Sequence, residues 1–269
     1  MLRFLLKNKA LRRRICFELF HRYFKDFRFE IPLENGLACP IVKREDLVCF
    51  SEIFVEKEYD EFFRQLPMPK TWLDIGCNCG HFSLWLVHLL QKYQIQDYKA
   101  FMLDPDPAQT SSIESVLKRN HLEANITYLP KAVSSETGKI KFIQRDFMFS
   151  TLAKVHSDTN DAAILVDVMD EKEMLTLFDS IDLIKLDIEG AEFDFISNYR
   201  QVLHKTKYLI MEWHSWHNGG GGLQQLLDIL KEESFKCIRE EIKPQNPTLN
   251  PASPGMVGLV LLKNSNFSD

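Results

Sequence analysis

The chain has 269 residues, 45% hydrophobic and 26% charged, with a formal net charge of -5. These proportions exclude wholesale disorder, collagen-like and low-complexity classes, and such a length buries a full core without metal or disulfide staples. The acid excess leaves no broad footprint for nucleic acid, whose binding rests on many Lys/Arg–phosphate contacts, so no nucleic-acid partner is expected.

The six cysteines, Cys16, Cys39, Cys49, Cys77, Cys79 and Cys237, are scattered without a CxxC pair. That usage suits reduced thiols and a cytoplasmic location. No apolar run approaches the ~18–20 residues of a membrane helix. The first 28 residues are rich in lysine and arginine, with Glu18 and Asp26 as their acids. Leu5, Leu6, Ile15, Leu19, Phe20, Tyr23 and Phe24 recur at three-to-four spacing, which predicts a basic amphipathic helix. Such a helix packs on the main domain or contacts a membrane surface. Short strands are expected over 29–53 around Glu34-Asn35-Gly36, since Asn-Gly is a strong hairpin signal. A helix follows over 56–65. Pro67-Met68-Pro69 then divides an N-terminal extension (1–69) from the main domain (70–269).

From Lys70 strands alternate with helices. Strands are expected at 71–75, 100–103, 126–132, 139–143, 164–168, 182–186 and 207–211. Helices are expected at 82–91, with Phe82, Leu86, Leu89 and Leu90 on one face, and at 111–120, 171–178, 191–203 and 223–232. A closing hairpin at 236–241 and 256–263 spans a Pro/Asn-rich loop. The alternation predicts an α/β fold, a mostly parallel sheet with helices on both faces.

Four segments carry chemistry. The first is Asp74-Ile75-Gly76-Cys77-Asn78-Cys79-Gly80, a strand entering a glycine-spaced turn at a helix start. The glycines permit close backbone approach of a ligand. The spacing is not GxGxxG, so an NAD-dependent oxidoreductase is disfavoured. The acid before the first glycine suits a cationic ligand without phosphate. S-adenosylmethionine fits, with Gly76, Asn78 and Gly80 shaping its pocket and Asp74 gripping a polar end. The second is Asp104-Pro105-Asp106-Pro107, where Asp104 is placed to accept hydrogen bonds from ribose hydroxyls; Asp106 is a ribose candidate or a turn residue. The third is Lys185-x-Asp187-x-Glu189-Gly190-x-Glu192, whose acids stand at a strand's carboxyl end. Glu192 could simply favour a helix dipole. The fourth is Met211-Glu212-Trp213-His214, on the neighbouring strand. His214 is the first candidate base and Asp187 the second, as base or as orienter of His214, with Lys185 as charge partner to Asp187 or Glu212. Glu189 and Glu212 would meet substrate or hold a divalent cation, which is not expected to be required. Cys77-x-Cys79-x-His81 has zinc-ligand residue types, but a second ligand pair is missing. Gly219–Gly222 suggests a mobile lid.

Together these segments resemble the FkbM-type S-adenosylmethionine-dependent methyltransferases, over roughly residues 46–213. The Lys-x-Asp-x-Glu-Gly-x-Glu motif is what narrows the resemblance. It implies a Rossmann-like class I methyltransferase fold, with a seven-stranded sheet and an antiparallel last strand. It also implies methyl transfer to a hydroxyl of a small-molecule or glycan acceptor, such as a sugar or natural product. One departure is Asp104, where the family commonly has Glu before Pro; either carboxylate can hold a ribose. A non-catalytic Rossmann-like binding module is the competing expectation, against which the intact acidic and glycine positions stand.

Overall fold

The structure, a computed structural model, describes residues 28–143, 151–152, 163–214, 222–244 and 256–267. The expected basic helix, the glycine run and the loop before the last strand lie outside these residues, apart from Arg28, Gly222 and Pro244. No described helix is long and apolar enough to cross a membrane.

The extension opens with a hairpin of β1 (Phe29–Pro32) and β2 (Ala38–Ile41). Asn35 and Gly36 turn the chain in left-handed conformations, at φ 58° and 80°, as an Asn-Gly pair allows. The strands expected up to residue 53 stop at Ile41. Residues 44–50 form helix α1 (Arg44–Phe50), which widens into a π-type turn at Ser51–Val55. Helix α2 (Asp60–Phe63) is shorter than the expected 56–65. Asp46 accounts for the change. Its Oδ2 accepts the Val42 and Lys43 N–H groups at 2.9 and 3.1 Å, capping the helix start. Leu47, Phe50, Ile53 and Phe54 then follow at helical, not alternating, spacing and pack into the core.

The main domain begins with β3 (Thr71–Ile75), α3 (His81–Lys92), β4 (Lys99–Leu103), α4 (Thr110–Asn120) and β5 (Ile126–Leu129). β6 (Lys131–Val133), β7 (Lys139–Ile143), β8 (Thr151–Leu152) and β9 (Ala163–Met169) follow. Next come α5 (Glu171–Met174), β10 (Ile181–Leu186), α6 (Glu192–Asn198), α7 (Arg200–His204) and β11 (Thr206–His214). Helix α8 (Leu223–Glu232), β12 (Phe235–Pro244) and β13 (Met256–Asn264) close the chain.

Seven strands form the main sheet in the order β12-β13-β11-β10-β3-β4-β5. β13 runs antiparallel to both its neighbours and the other strands are mutually parallel. The expected Rossmann-like α/β fold with an antiparallel last strand is therefore present. The strands are apolar on both faces, as buried parallel strands must be. Trp72, Met102, Leu183 and Ile210 point into one core; Leu73, Ile75, Ile184 and Leu209 point into the other.

Three expectations are corrected. The strand at 126–132 is two strands, because Pro130 offers no N–H to continue a ladder. β5 stays in the main sheet, while β6 enters a second sheet of order β6-β9-β7-β8. Helix 191–203 is two helices, broken at Tyr199 (φ -110°, ψ 43°). Helix α3 is not one-sided: His81–His88 are all buried, because the extension covers the face that the sheet leaves open.

The sheet's connections position the site. After β3 the chain crosses to β4 on one side; after β10 it crosses to β11 on the other. The crevice between the carboxyl ends of β3 and β10 is thus a topological switch point, where open α/β sheets bind ligands.

Tyr199 ties the second sheet to this body: its hydroxyl accepts the Ser134 N–H at 2.8 Å and donates to the Met169 carbonyl at 2.6 Å. Tyr199→Phe leaves both partners unpaired and is expected to cost about 1–3 kcal/mol, measured by urea unfolding. An unchanged midpoint would show that these bonds do not anchor the sheet.

Candidate active site

The turn after β3 is built to let a ligand approach. Gly76, Asn78 and Gly80 all have positive φ, at 75°, 48° and 80°. The Gly76 and Cys77 N–H groups donate to the Leu103 carbonyl at 2.9 and 3.0 Å, which hangs the turn on the end of β4. A side chain at Gly76 would meet the Asp187 carbonyl oxygen at 1.6 Å, so β10 approaches as closely as a glycine permits. Gly80 needs its glycine for backbone conformation; its nearest neighbour would be the Met102 side chain at 3.6 Å.

A cleft open to solvent lies over this turn. Gly76, Asn78, Asp104, Asp106, Gln109 and Asp187 contribute to its wall. Asp104 accepts the Asn78 N–H at 2.8 Å and the Asp106 N–H at 2.9 Å, one on each oxygen. Burial pushes its pKa up to about 7. Its remaining lone pairs are free for ligand hydroxyls. Asp106 lines the cleft, and its Oδ1 accepts the Ala108 N–H at 2.9 Å to start the next turn.

Asp74 is not where the sequence reading placed it. It lies beneath the turn, fully buried, rather than in the cleft wall. Its Oδ2 accepts from Ser83 Oγ at 2.7 Å, and Ser83 in turn accepts the Trp72 indole N–H at 3.0 Å. Burial raises its pKa, against the pull of Lys185. Lys185, 5% exposed, reaches from β10 into the same space. Its ammonium donates to the Gly76 carbonyl at 2.7 Å and to Asp187 at 3.1 Å, and lies 3.8 Å from Asp74. Burial alone would lower the lysine pKa; Asp187 and Asp74 more than offset this and hold it above its ordinary value.

The second half of the site stands at the ends of β10 and β11. β10 ends at Leu186, opposite Met211, whereas β11 continues to His214 against β13. Glu212 and His214 therefore overhang the turn that carries Asp187 and Glu189. His214 is buried, and its Nδ1 lies 3.1 Å from Glu192 Oε1. Its Nε2 is 3.7 Å from Glu189 and 3.8 Å from Glu212. Burial would lower the imidazole pKa, but Glu192, Glu189 and Glu212 together raise it well above the ordinary value. Burial lifts Glu189 to about 8, assisted by Asp187 and Glu192. Glu212 is raised by burial, then by Asp187. Glu192 also accepts the Gly190 N–H at 2.9 Å, fixing the turn whose Glu189 has φ 51°. One ligand atom each from Asp187, Glu189 and His214 falls within 4.8 Å of the others, so these three could hold a metal ion.

Over residues 90–242, more than half of its length, the chain matches the family profile described as the methyltransferase FkbM domain. The chain belongs to this family. The matched span takes in Asp104–Pro107, the Lys185–Glu192 motif and Met211–His214, and begins inside α3, after the glycine turn. The 2-O-methyltransferase NoeI of Sinorhizobium fredii is 26% identical over 215 residues, spanning 72% of this chain and 79% of the relative. Among solved structures, the StiE O-MT (residues 942–1257) superposes with a TM-score of 0.50 at 10% identity, over 79% of this chain and 75% of that one. TrmK of M. capricolum, solved with S-adenosyl-homocysteine, gives 0.45 at 10% identity, over 79% and 70%. These two structures are likenesses of fold.

In this FkbM-family chain, the expected site residues form two groups joined by Lys185 and Asp187. Gly76, Asn78 and Asp104 line the cleft; Glu189, Glu212 and His214 gather at its β11 side. Gly80 shapes the turn from behind as the residue before α3. The zinc-type trio is not such a group: His81 Nε2 faces Cys39 Sγ at 3.1 Å instead. Sequence reasoning missed Ser83, and it left Glu192 open between the motif's chemistry and a helix-dipole role. The Glu192 signal was its fixed place in the Glu-Gly-x-Glu run.

Gly76→Ala should cost about 3–5 kcal/mol through the clash and the left-handed backbone, whereas Gly80→Ala should cost about 1–2 kcal/mol from the backbone alone. Denaturant melts of both variants test the order. The reverse order would refute the close approach of β10.

Proposed function

We propose that the protein is an S-adenosylmethionine-dependent O-methyltransferase acting on a hydroxyl of a sugar or natural-product acceptor. The observation that carries this reading is a cleft lined by Asp104, Asp187 and Glu189, with the buried His214 imidazole behind it, 3.7 Å from Glu189. Oxygen as the methylated atom is also supported by the relative named as a 2-O-methyltransferase.

The residues present fit the cofactor. Asn78 Oδ1 is buried with no hydrogen-bond partner, an orphaned acceptor at the cleft wall. Asp104 would hold the ribose hydroxyls, and the Gly76 turn leaves room against the backbone. Asp74 would act indirectly, through Ser83 and Lys185, by fixing the turn. The cofactor, when bound, supplies an electrophilic methyl group. The protein's own contribution is alignment, worth several orders of magnitude in rate, and a proton acceptor.

His214 is that acceptor in this reading, oriented by Glu192 at its Nδ1. The acceptor hydroxyl loses its proton to the cluster as its oxygen forms the new bond to the methyl carbon. The neighbouring carboxylates raise the imidazole's pKa, so a higher pH favours its proton-accepting form. The acid-rich rim disfavours a phosphate-bearing partner such as RNA. The convergence of Asp187, Glu189 and His214 supports a second reading, in which a divalent cation polarises the hydroxyl.

Calorimetric titration should show saturable binding of S-adenosylmethionine and S-adenosylhomocysteine but not NAD; binding of NAD alone would overturn the cofactor. Ribose hydroxyls donate to the ionised form of Asp104, so affinity should rise as pH is raised through about 7, and Asp104→Asn should abolish that dependence. Transfer of labelled methyl to a panel of glycosides should rise with pH through an apparent ionisation above the ordinary imidazole range, belonging to the whole cluster. His214→Gln should keep cofactor binding and lose roughly 10²–10⁴-fold in turnover. Turnover that survives this change, or that vanishes when magnesium is chelated, would move the role from the imidazole to the cation.

A further inference from the structure

The loop after β4 presents acceptors to the cleft, and its backbone has no donor left to give. Pro105 and Pro107 carry no N–H. The Asp106 N–H donates to Asp104 Oδ1 at 2.9 Å, the Ala108 N–H to Asp106 Oδ1 at 2.9 Å, and the Gln109 N–H to the Asp106 carbonyl at 3.0 Å. The Gln109 side chain differs from the rest of the loop. It lines the cleft, the residue is 8% exposed, and among residues 104–109 it is the side chain that carries N–H donors.

The N-terminal extension decides which way that carboxamide faces. The Lys43 ammonium, just before α1, donates to Gln109 Oε1 at 2.5 Å and to the Ala108 carbonyl at 3.0 Å. An ammonium has donors only, so the atom that meets it is the carboxamide oxygen. The N–H groups of Nε2 are then what Gln109 has left to offer a ligand. Lys43 is itself held in place. Asp46 accepts its backbone N–H at 3.1 Å and the Ser112 hydroxyl of α4 at 2.8 Å. The start of α1 is thus fastened to the helix that Gln109 precedes.

The order of the strands gives the donor its target. Along the sheet, the cleft wall runs from Asp187 and Glu189 after β10, past the Gly76 turn after β3 and Asp104 after β4, to Val133 of β6, which follows β5. In the reading above, Asp104 holds the ribose and the methyl group is transferred on the β10 side. The base then lies at the other end, against Pro105, Val133 and Phe142. That end is apolar, as a surface for a flat heterocycle should be. Lys131 also lines it, but its ammonium is engaged by Glu173. Adenine's amino group is a donor, which the loop's carboxylates can serve. Its free ring nitrogens are acceptors, and they need an N–H.

We propose that Gln109 Nε2 donates a hydrogen bond to a ring nitrogen of the cofactor's adenine, and that Lys43 of the N-terminal extension sets the carboxamide for this task. The inference rests on the S-adenosylmethionine reading. It makes Gln109 a cofactor-binding residue, Lys43 a positioning residue, and the extension a part of cofactor recognition.

The test uses S-adenosylhomocysteine and its 1-deaza, 3-deaza and 7-deaza analogues, each of which replaces one ring nitrogen by C–H. All are titrated calorimetrically into the full chain and into its Gln109→Glu and Lys43→Met variants. Gln109→Glu keeps an oxygen for Lys43 and removes the donor alone. In the parent, one analogue should bind about 5- to 10-fold more weakly than S-adenosylhomocysteine. Gln109→Glu should bind S-adenosylhomocysteine at least about 5-fold more weakly than the parent, keep the parent's melting temperature, and no longer distinguish that analogue. Lys43→Met should narrow the same discrimination without abolishing it. A parent that binds every analogue as well as S-adenosylhomocysteine would overturn the proposal. So would a Gln109→Glu variant that keeps the parent's discrimination, whatever its melting temperature. Unchanged discrimination in Lys43→Met would overturn the role of the extension. If the parent does not bind S-adenosylhomocysteine, the cofactor reading itself falls, and this inference with it.

Discussion

One buried ammonium holds the two halves of the site together. Lys185 reaches from β10 to the Gly76 carbonyl, to Asp187 and toward Asp74. An ammonium in an interior costs several kcal/mol unless acceptors surround it, and here one carbonyl and two carboxylates do so. The same contact closes the crevice from below. It clamps the cofactor-type turn of β3 against the strand that delivers Asp187. Trp72, Ser83 and Asp74 continue the chain of bonds beneath it, so the floor of the cleft is a connected polar network inside an apolar core. Such a network is worth having only when every member is satisfied. Asp74 Oδ1 has no hydrogen bond and relies on the nearby ammonium.

Above that floor acidic side chains crowd the site. Asp187, Glu189, Glu192 and Glu212 surround His214, with Glu58 nearby, and Lys185 is the cation beneath. Burial and then neighbouring carboxylates raise Glu189 and Glu212, whereas His214 is raised by those carboxylates against the effect of burial. A cationic sulfonium relieves that crowding where a phosphate would worsen it. The electrostatics and the turn geometry thus favour the same type of ligand. The fold supplies the place: β11 outruns β10 by three residues, so its last side chains hang over the neighbouring turn. The family match places the protein among methyltransferases, and the site's chemistry narrows that membership to a hydroxyl acceptor as a proposal.

Much of this was legible in the sequence because it is local. The α/β alternation follows from short apolar runs set between turn residues, and the glycine turn follows from spacing within one heptapeptide. The parallel sheet with an antiparallel last strand came from the resemblance and is present. Local pattern failed where two periods compete. Residues 44–55 carry apolar side chains that suit either a strand or a helix, and the Asp46 cap decides for the helix. Pro130 was visible in the sequence, yet its effect, sending β6 into a second sheet, depends on β9 being there to receive it.

What the sequence determined by itself is the identity of the chemical groups and their order along the strands: Asp104 after β4, Asp187 and Glu189 after β10, Glu212 and His214 at the end of β11. What only the tertiary structure decided is which groups meet. Asp74 looked like a ligand because it precedes a glycine turn, but folding buries it under Ser83 and Lys185. Glu192 opens α6 as a helix-start acid can, and β11 also brings His214 to it from 22 residues away. The physical reason is the same in each case. A residue's type and its neighbours in the chain set what it can do, whereas burial, charge environment and partners come from segments distant in sequence.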